Sequence, residues 1–410
     1  MRSIPVGDFQ IGDDEKNAVI QVLSRGRLSE NFKTAEFERE FAAYIGTKHC
    51  VAVSSGSAAL LCLLAALVHD DKYHKVKPGA KVITTPLTYI ATINAIVLAG
   101  LEPVFVDVDR KTFGILPNEV ERVLMETDGV CAVLPVHLMG YPCAMDELRS
   151  LADQFDLLLI EDAAQAHGST YSGKKCGSLG VAGIFSFYIA HNIQAGEMGC
   201  ITTDDADLVR LLKKIKANGR ACDCIRCTRP GGYCPRLSDD VWTGVMDGDP
   251  RFIHDIIGYN FKVMEFPPSL ALTQLKKADA IFKARQDNVQ LLNKCLASFS
   301  DVLDLPIFDT SVSYLAYPLV VKPDKGIHRG SFRQALHGYG VESRPLFGCI
   351  PLHQPAYKKY KEKYSGKLPN AEHLGEHAFY IACHQYLQTS DIEFIKEAIS
   401  ASIDQSLVRR

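Results

Sequence analysis

At 410 residues, 47% hydrophobic and 23% charged, the sequence has the balance of a globular chain with room for one large domain and a smaller one. A formal net charge of −3 gives no electrostatic basis for binding nucleic acid or an anionic membrane. The opening residues MRSIPVGDFQIGDDEKN hold no apolar core of signal-peptide length, and the run from Ala58 to Val68 falls well short of the ~20 residues that span a bilayer, so a cytoplasmic protein is expected.

Helical periodicity opens the chain over 14–25 and 34–44. Short apolar runs bounded by turns then predict strands over 49–53, 81–85, 103–108, 129–136, 157–161, 183–187 and 199–202. Between them, helices are predicted over 56–68, 89–98, 117–126, 144–154 and 206–216. This alternation implies an α/β fold with a mostly parallel sheet covered on both faces, where ligands bind at the carboxyl ends of the strands. From 222 to 253 the regular pattern stops, and cysteine, proline, glycine and aspartate dominate. A helix resumes near Pro267 and runs to about Ala297; strands over 314–321 and 341–345 and a final helix from Ser390 predict a smaller α+β domain. The expected division is a large ligand-binding domain, 1–265, carrying a cysteine-rich loop at 218–255, and a small C-terminal domain, 266–410.

Three segments carry chemistry. Ser54-Ser55-Gly56-Ser57-Ala58 follows a strand and opens a helix, where free N–H groups suit a phosphate, although serine is equally at home as a helix cap. Leu158-Leu159-Ile160-Glu161-Asp162-Ala163-Ala164-Gln165-Ala166-His167-Gly168 ends a strand in a carboxylate; Asp162 there either pairs with the ring nitrogen of a pyridoxal cofactor or caps the next helix. The third is Ser186-Phe187-Tyr188-Ile189-Ala190-His191-Asn192, continuing to Gly196-Glu197-Met198-Gly199. In this order, and with Pro86-Leu87-Thr88-Tyr89, Ile257-Gly258-Tyr259-Asn260 and Arg344-Pro345-Leu346, they resemble the DegT/DnrJ/EryC1/StrS sugar aminotransferases over nearly the whole chain.

That resemblance implies a fold type I pyridoxal-phosphate enzyme, a homodimer with shared active sites. Carried over by position, the N–H groups of Gly56 and Ser57 and the Ser186 hydroxyl would hold the cofactor phosphate, and Asn260 would reach it from the neighbouring subunit. Tyr89 would lie against the ring, Asp162 would pair with its nitrogen, and Gln165 would hydrogen-bond its hydroxyl. One position departs. The aminotransferases place a lysine where His191 stands, and no lysine occurs between Lys175 and Lys213. Imidazole makes no Schiff base but does move protons near neutrality. The departure resembles the 3-dehydratases of nucleotide-linked 4-keto-6-deoxy sugars, which use pyridoxamine phosphate with histidine as base; Met198 replaces their usual glycine. His191 would then take the cofactor's methylene proton and hand it to the departing C3 oxygen.

Cys222, Cys224, Cys227 and Cys234, four of thirteen cysteines, are spaced C-x-C-x2-C-x6-C, as suits zinc or an iron–sulfur cluster. The CDP-sugar 3-dehydratases, by resemblance, carry a [2Fe–2S] cluster whose C-x-C pair matches Cys222 and Cys224, fed by a separate flavin–iron–sulfur reductase. Their remote ligand falls at Ala164 here, so Cys227 or Cys234, or less directly Cys176, would substitute. His137, His167, His353 and His384 read as ordinary polar residues, Arg344 as a substrate contact or a surface ion pair, and Asp239, Asp240, Asp247, Asp249 and Asp255 as a solvated loop. Two other functions compete with the dehydratase: a pyridoxal-phosphate sugar aminotransferase-like enzyme, and a catalytically silent zinc-binding member.

Overall fold

The computed structural model describes residues 2–222 and 252–408. The apolar runs of the first half become strands β1 (His49–Val53), β2 (Lys81–Thr84), β3 (Glu102–Phe105), β4 (Val130–Leu134) and β5 (Leu158–Asp162), a short hairpin of β6 (Thr170–Tyr171) and β7 (Lys174–Lys175), then β8 (Ala182–Ser186) and β9 (Gly199–Thr203). Seven of these form one sheet in the order β3-β2-β4-β5-β8-β9-β1. All neighbours are parallel except β9, which runs antiparallel to both β8 and β1. Helices cover the strands, which is why they read as continuous apolar runs rather than as alternation.

The helices before and between them are α1 (Asp13–Ser24), α2 (Phe32–Ile45), α3 (Gly56–His69), α4 (Ile90–Leu98), α5 (Pro117–Glu126), α6 (Met145–Phe155) and α7 (Ala206–Ile215). At the end of α7, Lys216 is buried; its ammonium donates to Glu30 (2.7 Å) and the Ala52 carbonyl (2.9 Å) and lies 3.7 Å from Glu38. This ion cluster ties α2 and α7 to β1.

The single helix predicted over 267–297 is instead two, α8 (Phe266–Lys276) and α9 (Ala278–Leu296). The break falls at Lys277, whose side chain pairs with Glu15 at 2.8 Å, while Gln274 donates to the same carboxylate at 3.0 Å. Docking on α1 thus interrupts a pattern that periodicity alone reads as continuous.

A second, antiparallel sheet has the order β10 (Leu303–Asp304), β11 (Tyr317–Val321), β13 (Ala378–Ile381), β12 (Arg344–Pro345). The strand predicted over 314–321 starts later because Tyr314 sits at φ +49°, its hydroxyl held by Asp309 and Ile307. The one predicted over 341–345 is shortened because Val341 bridges to Ile4 of the N-terminal segment instead. The closing helix is Thr389–Val408. Among the described residues no helix is long and apolar enough to cross a membrane.

Candidate active site

The carboxyl ends of β5 and β8, the start of α3 and segments of the smaller sheet enclose a cavity of about 670 Å3. Ser55 caps α3, its hydroxyl accepting from the Ala58 N–H at 3.1 Å. Gly56 and Ser57, the first two helical residues, have no carbonyl within the helix to bond, and both line the cavity together with Ser186. The packing leaves no room for side chains here. A Cβ on Gly56 would lie 2.6 Å from the Ser186 Cβ, and one on Gly199 2.2 Å from the Ser55 carbonyl oxygen. A helix start, a serine hydroxyl and two enforced glycines make a cradle for a phosphate.

Beyond it, Asp162 is 4% exposed. Its Oδ2 accepts from the Thr92 hydroxyl at 2.8 Å and its Oδ1 from the Ala164 N–H at 3.2 Å. Burial raises its pKa, and those two bonds with nearby His137 offset the rise only in part. A protonated ring nitrogen is the kind of partner such a carboxylate lacks. Gln165 accepts the Met139 N–H at 2.9 Å through Oε1, which leaves its amide NH2 to donate. Tyr89, at the head of α4, is 60% exposed and leans on Phe347 at 5.9 Å between ring centroids. The residues present therefore fit a pyridoxal-type group: phosphate at Gly56, Ser57 and Ser186, ring nitrogen at Asp162, ring hydroxyl at Gln165, ring face at Tyr89.

His191 lines the same cavity, and among the described residues no lysine does. Its Nδ1 is buried without a partner, whereas Nε2 is not among the buried unpaired atoms, so Nε2 is the nitrogen open to the cavity. Burial first, and the Arg285 guanidinium second, push its pKa down to about 4, so the imidazole is neutral at neutral pH. A neutral imidazole with Nε2 facing the ligand space has a lone pair available to take a proton.

Several contributors come from far along the chain and carry no local motif: Thr92 behind Asp162, Leu315 and Ala316, Phe347 and Tyr380. Arg344 both lines the cavity and pairs with Glu342 at 2.9 Å. Thr92 was findable in principle, since Thr88 and Thr92 lie one helical turn apart and their hydroxyls are 3.0 Å from each other.

Asn260 is exposed and outside this chain's cavity, although the next residue, Phe261, accepts the Ser54 N–H at 2.9 Å beside the cradle. Cys222 is half-buried on a segment joined to the far side of the loop by the Arg220–His254 bridge. Cys224, Cys227 and Cys234 lie outside the described residues, as do Asp239, Asp240, Asp247 and Asp249; Asp255 pairs with Lys214. His353 is exposed, and His384 contacts the Pro5 carbonyl at 3.2 Å.

Among the described residues, one group with metal-ligand chemistry comes together: His137, Glu161 and Cys176, all buried. Its lone pairs are already used. Glu161 accepts N–H groups from Gly177, Leu179 and Gly180 and contacts His137 Nε2 at 3.0 Å, while His137 Nδ1 accepts the Cys143 N–H at 3.1 Å. The cluster fastens the 176–180 turn beneath β5. Cys176 is buried in this core beside His137.

The model of the DegT/DnrJ/EryC1/StrS aminotransferase family matches residues 9–400. The chain is 29% identical over 402 residues to the dTDP-4-dehydro-2,6-dideoxy-D-glucose 3-dehydratase of Saccharopolyspora spinosa, covering 97% of this chain and 86% of that one. It is 30% identical over 408 residues to the GDP-perosamine synthase of Caulobacter vibrioides, covering 99% and 98%. A solved structure of E. coli GDP-4-keto-6-deoxy-D-mannose-3-dehydratase with bound hydrated PLP superposes with a TM-score of 0.83 at 26% identity, covering 97% of this chain and all of that one. With the cradle, the buried aspartate and the sheet order in place, the chain belongs to the DegT/DnrJ/EryC1/StrS aminotransferase family.

Proposed function

We propose that the protein is a pyridoxamine-phosphate-dependent dehydratase acting at C3 of a nucleotide-linked 4-keto-6-deoxy sugar, with His191 as the base. One observation carries this reading: Gly56, Ser57, Ser186, Asp162, Gln165 and Tyr89 line one cavity, which among the described residues presents an imidazole, and no lysine, to the reacting space. When bound, the cofactor supplies an amine that condenses with a ketone and a protonated ring that accepts electron density. Asp162 holds the ring proton, Gln165 donates to the ring oxygen, and the α3 start holds the phosphate. His191 Nε2 would accept one proton from the bound cofactor's methylene carbon and return it to the departing C3 oxygen, which would leave as water.

The readings of Asn260 as a contact from a second subunit in a homodimer, and of residues 1–265 and 266–410 as the two domains, belong to the same proposal. So does an iron–sulfur cluster, [2Fe–2S] in type, on Cys222, Cys224, Cys227 and Cys234. It would draw electrons from a flavin–iron–sulfur reductase, with zinc as the competing occupant. Support for the cluster is the spacing of the four thiols. Iron and acid-labile sulfide in anaerobically purified protein are expected; zinc without iron removes the cluster.

The deciding experiment replaces His191 with asparagine and follows exchange of the methylene protons of pyridoxamine phosphate with deuterated solvent. Exchange should fall by about 10²- to 10⁴-fold, the usual share of a general base, while cofactor binding persists. Undiminished exchange would remove His191 from the reaction. The perosamine-synthase relative makes the transaminase reading the rival, and glutamate-dependent amination of a keto-sugar by the unaltered protein would favour it.

A further inference from the structure

His191 works as a base only if its Nε2 is unprotonated, which requires the proton to reside on Nδ1. That Nδ1 is buried and has no partner. Its nearest ring neighbour on the buried side is His167, 6.1 Å away between centroids and tilted by 49°. His167 is completely buried, and both of its ring nitrogens also lack partners. A third orphan, the Asn192 Oδ1, belongs to a side chain beside His167. Four unpaired buried polar atoms on these three side chains are a costly arrangement unless they pair with one another.

Asn192 is anchored below. Its amide donates to the Ser313 hydroxyl at 3.2 Å, which meets the Ser169 hydroxyl at 2.9 Å, which donates to the Gly140 carbonyl at 2.6 Å. The polarity of this chain is set from that end: a fixed Asn192 leaves Oδ1 to accept an N–H from His167, and His167 then offers its other nitrogen as an acceptor.

We propose that His167 is a positioning residue for His191, accepting the Nδ1–H so that Nε2 faces the cavity as a free lone pair, with Asn192 orienting His167 in turn. The inference rests on His191 being the base. A small ring rotation closes the gap between the two imidazoles. The arrangement does the orienting work of a carboxylate without its charge. The groups around the imidazole are consistent with this: His167 from the turn after β5, Tyr188 from its own loop and the Arg285 guanidinium from α9, with no carboxylate among the described residues paired to it.

Nitrogen-15 spectra of the full-length protein labelled at histidine, recorded without cofactor, test this directly, with the His191 signals identified by their loss in His191→Asn. The wild type should show His191 protonated on Nδ1. His167→Phe should give a tautomer mixture, and His167→Gln, which retains an acceptor, should restore the wild-type form. With pyridoxamine phosphate added, His167→Phe should slow methylene exchange by about 10- to 100-fold and leave cofactor affinity within about twofold, as expected of a partner acting through another residue. Should the phenylalanine variant not fold, Asn192→Leu is expected to shift the tautomer in the same direction. An unchanged His191 tautomer in either variant, or unslowed exchange in His167→Phe, overturns the proposal. Absence of exchange in the wild type would instead sink the dehydratase reading, and the tautomer spectra would still decide this one.

Discussion

Replacing Asp162 with asparagine separates what that carboxylate does for the fold from what it does for a ligand. Asp162 is buried, and its two protein partners are a hydroxyl and an N–H rather than a cation. Asparagine keeps both contacts: its oxygen accepts from the Ala164 N–H, and its NH2 donates to Thr92, whose own proton turns to Thr88 at 3.0 Å. The cofactor-free fold should therefore change by no more than about 1 kcal/mol, the scale of one net hydrogen bond. The sign follows from linkage. A carboxyl whose folded pKa is raised contributes stability below its unfolded value, near ~3.9, and loses that contribution as pH rises through the folded value. Asparagine has no such loss, so the variant should gain on the wild type as pH rises. Ligand binding should move the other way. A charge-assisted hydrogen bond to a ring N–H contributes roughly 1.5–3 kcal/mol, so the affinity for pyridoxamine phosphate should fall about 10- to 150-fold. Urea denaturation of the cofactor-free protein across pH, paired with cofactor titration followed by absorbance, reads both effects. Unaltered affinity, or a large stability loss independent of pH, would refute the pairing of Asp162 with a cationic ring.

Gly199→Ala places a methyl 2.2 Å from the Ser55 carbonyl oxygen, a main-chain atom that cannot swing aside. β9 and the start of α3 must separate, so a loss of about 1–3 kcal/mol is expected, with weaker cofactor binding, by denaturation and titration. Lys216→Met leaves Glu30 and Glu38 facing each other without their cation, which should cost about 3–5 kcal/mol in urea denaturation; a loss near zero would show that the cluster is not coupled.

How much of this was legible depends on where each interaction closes. Strands buried on both faces announce themselves as apolar runs, and Asp162 stood out at the end of one, whereas Ser186 and His191 were marked by the resemblance of the segment after β8 to the family. The same reasoning placed Gly56 and Ser57 at a helix start. What it missed is held by distant chain. Thr92 acts on Asp162 from α4, and Phe347 and Tyr380 reach the cavity from the smaller sheet. Two-residue strands such as β10 and β12 are too short to carry any period. His167 looked like an ordinary polar residue because nothing local reveals that its ring nitrogens lie unpaired beneath His191. Lys277 ended a helix through a contact with Glu15, which no local propensity encodes.

The exchange of a lysine for His191 also changes what the rest of the site must accomplish. Where a lysine bonds the cofactor covalently, losing one hydrogen bond to phosphate or ring slows the reaction before it empties the site. Among the described residues no lysine lines the cavity here, so on the proposed reading retention would be the sum of the α3 cradle, Ser186, Asp162, Gln165 and Tyr89. Each loss should therefore appear first as faster cofactor dissociation. That is why the Asp162 and Gly199 variants are assigned affinity effects, whereas His167, which neighbours His191 and does not line the cavity, is assigned an effect on proton transfer with affinity preserved. Borohydride treatment of the protein loaded with pyridoxal phosphate should accordingly leave the cofactor removable by dialysis. Irreversible fixation to any lysine would mean that a covalent anchor exists, and the division of labour between binding and proton-moving residues would fail with it.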